Sequence, residues 1–261
     1  MIRRGQPTGR NDSGPRRDPA KRGPRRGLGV LLGLGLLAAA LSMPQGGSAQ
    51  TGSPPPRPDH ADFRVEPSSR DAREVADWVV RSADNTGMPF VIIDKINAKV
   101  FVFRPDGRLR GAAPALLGLA RGDDSVAGVG HRKLAAIGVS ERTTPAGRFI
   151  ASLGHDFEQD ILWVDYDSAL SLHRVITGRP QDHRRQRLAT PTPLDNRISY
   201  GCINVPPAFY DTVVAPAFAG TRGVVYILPE TRSIQVEFPM AAASRQTVAA
   251  SLPRGSGLAS P

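Results

Sequence analysis

From residue 90 to residue 228 the apolar residues gather in short runs, rich in β-branched and aromatic side chains, with Gly, Pro or Asp between them. These runs predict strands over 90–93, 100–103, 148–153, 161–164, 170–176 and 223–228, and another beginning at Leu109 after the turn at Pro105, Asp106 and Gly107. Little of the stretch has helical spacing. The pattern therefore predicts a mostly β domain over 89–236, an antiparallel β sandwich or barrel-like fold. Ahead of it, Val75, Trp78, Val79 and Ala83 share one helical face. Asp71 with Glu74 resembles a capping pair, and Asn85, Thr86 and Gly87 a stop, so a short helix packed on the domain is expected over 71–88. No internal repeat is visible.

The flanks read differently. Segment 50–70, with Pro54, Pro55 and Pro56, has the composition of an extended linker outside any core, and 237–261, small and polar, that of a disordered tail. Residues 1–49 follow the order of a secretory signal: a basic start ending at Arg25 and Arg26, an uncharged apolar stretch over 28–41, then Gly47, Ser48 and Ala49 before Gln50. Cleavage near Ala49 is expected. The 17 residues from Gly27 to Met43 also reach the short end of a bilayer span, so an uncleaved anchor is the other reading, and the only one that brings a membrane contact. Both readings export the bulk of the chain, to the periplasm or cell envelope.

The formal net charge of +10 suggests a nucleic-acid partner until it is located. Residues 1–26 hold nine Lys/Arg and two Asp, which leaves +3 for the rest. No nucleic-acid partner is expected. Gly128 and Gly130 belong to no strand–GxGxxG–helix unit, and no cofactor is expected either.

An exported chain normally uses cysteines in pairs, yet Cys202 is the only one here. It is a reactive thiol or an inert buried hydrophobe. Its neighbours favour the first: Gly201 permits a sharp turn that brings backbone N–H groups near a reacting carbonyl, and Ser199 and Asn204 are polar. A thiol needs a base, and five histidines precede it: His60, His131, His155, His173 and His183. Only His173 interrupts an apolar strand pattern, sharing a face with Ser171 and Val175. As a partner it is expected to raise the thiolate fraction of Cys202 near neutral pH. One cysteine without a close His pair is a poor ligand set, so no metal is expected.

Ser199, Tyr200, Gly201, Cys202, Ile203 and Asn204, with His173 upstream, resemble the active-site signature of the L,D-transpeptidase (YkuD-type) catalytic domain family. Thr144, Pro145, Ala146, Gly147, Arg148 and Phe149 are similar to the family's Thr-Pro-x-Gly-x-Phe run, and the likeness covers roughly 89–229. The sequence departs from the family at Tyr200, where a histidine is usual, at Arg174, where a small residue is usual, and in the 26 positions from His173 to Ser199, a longer gap.

The resemblance implies a YkuD-like fold and a two-step acyl transfer on peptidoglycan stem peptides. Cys202 attacks a stem tetrapeptide and expels D-alanine, His173 is base and then acid, and backbone N–H groups of Tyr200, Gly201 and Cys202 hold the oxyanion. Ser199, Asn204 and Arg174 would shape the site. An acceptor amine completes a wall cross-link. A hydrolase on the same scaffold (an L,D-carboxypeptidase or amidase) and a non-catalytic wall-binding module stay open. Segment 177–197, with five Arg against two Asp, is either a solvated loop or a surface that meets stem carboxylates. Acceptor and oligomeric state are not legible.

Overall fold

A computed structural model of the chain describes residues 58–156 and 158–239. The expected signal segment 1–49, the first part of the Pro-rich segment and the tail from 240 onward lie outside them. No helix among the described residues is long and apolar enough to cross a membrane.

Helix α1 (Arg70–Ser82) forms where the apolar spacing predicts it and buries Ala72, Val75, Ala76, Trp78, Val79 and Val80. Its cap is not Asp71. Ser69 holds extended backbone one position before the helix, and its hydroxyl accepts from the Ala72 N–H at 3.0 Å. The helix ends at Ala83 in the left-handed conformation, and buried Asn85 donates to Met88 O and Pro105 O.

The strands are β1 (Phe90–Asp94), β2 (Lys99–Phe103), β3 (Leu109–Pro114), β4 (Leu117–Gly118), β5 (Gly147–Asp156), β6 (Gln159–Asp165), β7 (Leu170–Arg174), β8 (Arg197–Ser199), β9 (Ile203–Val205) and β10 (Gly223–Ile227). Eight of them make one sheet in the order β3-β2-β1-β10-β5-β6-β7-β9, while β4 pairs with β8. Pairing is antiparallel except at β1–β10, β7–β9 and β4–β8, which are parallel. Past β3, Leu116 exchanges backbone hydrogen bonds with Asn204 of β9 at 2.8 and 2.9 Å, so the sheet nearly closes on itself. The protein is mostly β, with one short helix ahead of the sheet.

The middle strands are buried on both faces, which explains their continuous apolar runs. By the strand's period of two, Val91, Ile93, Val100, Val102, Val225 and Ile227 enter one core, with Tyr210, Val214 and Phe218 of a helical segment over 207–218. Phe90, Ile92, Phe101, Phe103, Val224 and Tyr226 enter the other, beneath α1.

Two expected boundaries move. Ala61 and Phe63 belong to the core, not to a linker: Phe63 is buried edge-on against Phe101 and Phe103 at 5.3 and 5.0 Å, and exposed Asp62 between them pairs with the β2–β3 turn. Proline composition hid one aromatic anchor. At the other end Phe238 is buried in the same core, so the domain runs past 236. Phe63→Leu keeps the bulk but loses both aromatic contacts. It is expected to lower stability by about 1–2 kcal/mol, read as a shift in urea midpoint; an unchanged midpoint would place Phe63 outside the stabilising core.

Candidate active site

The cysteine turn lies between β8 and β9 and is held from three directions. Gly201 has φ +136, and a Cβ there would meet Thr143 O at 2.8 Å, so only glycine fits. Ser199 Oγ donates to Cys202 O at 2.7 Å and accepts from the Gly201 N–H at 3.1 Å. Thr144, fully buried, donates its hydroxyl to Gly201 O at 2.6 Å and accepts from the Gly118 N–H at 2.9 Å. The threonine of the Thr-Pro run therefore clamps the turn.

Behind Thr144 sits a buried charge cluster that the sequence did not reveal. Lys95, 1% exposed, donates Nζ to Gly122 O, Asp123 Oδ1 and Thr144 O at 2.6, 2.7 and 2.8 Å. Asp123 also accepts from the N–H groups of Glu230, Thr231 and Arg232 and from the Thr231 hydroxyl. Burial alone would raise the Asp123 carboxyl. The hydrogen bonds from Lys95, Thr231 and the backbone outweigh it and hold the group well below the usual carboxylate range. Burial draws the Lys95 ammonium down from its ordinary value, against the hydrogen bond and charge of Asp123.

Cys202 Sγ is half-buried, receives the Ser171 hydroxyl at 3.5 Å and faces Ala169 O at 3.5 Å. Burial pushes its thiol up, opposed by the Ser171 hydroxyl and N–H. His173 of β7 is the register partner of Asn204 of β9. Its Nδ1 lies 2.7 Å from Arg174 O. A carbonyl only accepts, so Nδ1 carries the proton and Nε2 is the basic nitrogen. The Asn204 amide nitrogen donates to Nε2 at 3.2 Å, while Asn204 Oδ1 accepts from Arg184 at 3.0 Å, which fixes the amide's orientation. Burial lowers the His173 pKa and the Arg184 charge lowers it further; the Arg174 carbonyl and Asp156 oppose them.

Both shifts favour the uncharged thiol and the uncharged imidazole, because the buried pocket disfavours both charged forms.

Two further expectations change. The Gly201 N–H is taken by Ser199, which leaves the N–H groups of Tyr200 and Cys202 for an oxyanion. Arg174 points away from the site: its guanidinium pairs with Asp160 and Asp211 at 2.8 and 2.6 Å and covers the Tyr210 ring, because it alternates with His173 along β7. Only its carbonyl serves the site. Tyr200 keeps its backbone in the turn while Arg142 stacks on its ring at 4.1 Å.

Cys202, His173, Ser199, Tyr200 and Asn204 all line one cavity of about 450 Å³, and a second of about 110 Å³ also reaches Cys202. His60, His131, His155 and His183 are exposed and line neither. No group of three or more His, Cys, Asp or Glu that could hold a metal occurs among the described residues. Sequence reasoning missed Ser171, Thr144 as a clamp, Lys95 and Arg184. Ser171 was within reach, since it shares His173's face two residues earlier.

No protein-family model matches the chain, and no curated protein does. Among solved structures it is similar to the helical cell-shape-determining protein Pgp2 from Campylobacter jejuni, at 14% identity and TM-score 0.35, over 66% of this chain and 62% of that one. It is also similar to the catalytic domain of the E. faecium L,D-transpeptidase, at 14% identity and TM-score 0.33, over 54% of this chain and 98% of that one. A third is the L,D-transpeptidase LdtMt1 in complex with imipenem, at 14% identity and TM-score 0.31, over 54% of this chain and 58% of that one. The chain thus spans less than two-thirds of the length of Pgp2 and of LdtMt1.

Proposed function

We propose that the chain is an exported, cysteine-dependent L,D-transpeptidase acting on peptidoglycan stem tetrapeptides. One observation carries the reading: Cys202, in the Ser-Tyr-Gly-Cys-Ile-Asn turn that leads into β9, and His173 of the neighbouring β7, the only buried histidine, line the same cavity. The signal-like order of residues 1–49 supports export.

In the first half-reaction Cys202 Sγ attacks the carbonyl of the third stem residue as its proton passes to His173 Nε2. The Asn204 hydrogen bond to Nε2 yields at that moment. The N–H groups of Tyr200 and Cys202 take the oxyanion. The C–N bond then breaks, His173 returns the proton to the leaving amine, and D-alanine departs from a Cys202 thioester. An acceptor amine attacks next, gives its proton to Nε2 and releases Cys202, which takes the proton back.

The test is incubation of the protein with a disaccharide-tetrapeptide, followed by mass spectrometry. Release of D-alanine with a cross-linked dimer is the expected result. Release without a dimer points to the hydrolase, and intact substrate overturns the enzyme.

Tyr200→His checks the oxyanion assignment. With only the backbone N–H in use, D-alanine release is expected to stay within about tenfold, ~1.4 kcal/mol. A much larger loss in a folded variant would give the tyrosine side chain a role of its own.

A further inference from the structure

Segment 177–197 carries five arginines, four between β7 and β8 and Arg197 at the start of β8, and the structure sorts them. Arg197 is bound to Glu230 and to Lys95 O. Arg187 donates to Asp182 O and Asp195 O at 2.8 and 2.6 Å. Arg184 is shared between Asp182 and Asn204, each at 3.0 Å. Arg179 and Arg185 have no partner among the described residues, and of the two only Arg179 lines the cavity beside Cys202.

That cavity is otherwise apolar where Leu134, Ala135 and Ile176 line it. Asp182 offsets Arg184, so Arg179 leaves one uncompensated positive charge in its wall. From this geometry we infer that Arg179 is a carboxylate subsite that reads the free C-terminus of the donor peptide. A guanidinium binds a carboxylate through two parallel N–H···O bonds, and the apolar lining suits a small terminal side chain. Cys202 and Arg179 line the same cavity, and the carboxylate to be read stands only one residue, about 3.3–3.6 Å of extended chain, past the carbonyl that Cys202 attacks.

The inference rests on the transpeptidase reading, and its test separates the two. In Cys202→Ala protein, calorimetry compares the stem tetrapeptide with its C-terminal amide. The free acid is expected to bind at least tenfold tighter, with a preference that weakens as salt is added. Arg179→Gln should bring the two affinities together, and Arg179→Lys should restore part of the gap. Equal binding of acid and amide, or an undiminished preference in Arg179→Gln, overturns the subsite. D-alanine release by the wild type is scored separately. Release with equal binding keeps the enzyme and removes the subsite; preference for the acid without release keeps the subsite and removes the transpeptidase.

Discussion

Cys202→Ser is expected to fold as the wild type does and to release no measurable D-alanine. The change swaps one small, half-buried side chain for another of the same shape. The chemistry changes far more, because a hydroxyl is much harder to deprotonate and burial makes His173 a weaker base. His173→Ala should slow release by about 10²–10⁴-fold, the usual worth of a general base.

The pH dependence sharpens the point. Burial raises the Cys202 thiol, so iodoacetamide labelling should titrate above the ordinary cysteine value of about 8.5. His173→Ala should leave that inflection in place, because a neutral imidazole gives the thiolate no charge to pair with. Turnover and labelling therefore separate: the histidine matters when the proton moves, not in the resting thiol. A wild-type inflection near neutrality, abolished in His173→Ala, would instead establish an ion pair at rest and defeat the neutral-pair description. D-alanine release by Cys202→Ser would defeat the nucleophile assignment itself.

Lys95→Met is expected to destabilise the fold by about 3–5 kcal/mol, the range for removing one partner of a buried ion pair. Methionine fills the space but strands Thr144 O and Gly122 O without a donor, and leaves Asp123 with Glu230 nearby and no opposing charge at its oxygen. Urea unfolding should show a lower midpoint at unchanged slope. Acid should narrow the gap. The Asp123 pKa is depressed in the folded chain, so its contribution is complete above roughly pH 4 and lost as pH falls toward the folded value. A loss below about 1 kcal/mol, or a gap that widens in acid, would remove the cluster from the list of things that hold the site together.

How much of this was legible depends on the range of the contact. β1, β2, β5, β6, β7 and β10 could be read because a run of β-branched and aromatic residues is a local property. β4, β8 and β9, two or three residues each, have no such run; distant backbone partners define them. The parallel pairings were hidden for the same reason. At the site, Gly201-Cys202 and His173 stood out as residue types out of place in their surroundings. Thr144 reaches Gly201 across 57 positions and Lys95 reaches Thr144 across 49, and nothing in either neighbourhood announces the other. Phe63 was concealed by composition, since the prolines around it outweighed one aromatic.

The place of β10 between β1 and β5 has a consequence for how the chain comes into being. The last strand made is the rung that joins the two halves of the sheet. A nascent polypeptide that ends before residue 223 holds a meander of β1 to β3 and another of β5 to β7, joined only by the short β4–β8 pair and the Leu116–Asn204 bridge. Docking of β10 must close contacts with strands more than a hundred residues back on one side and some seventy on the other, a slow kind of step. The native sheet is therefore complete only once nearly all of the chain exists.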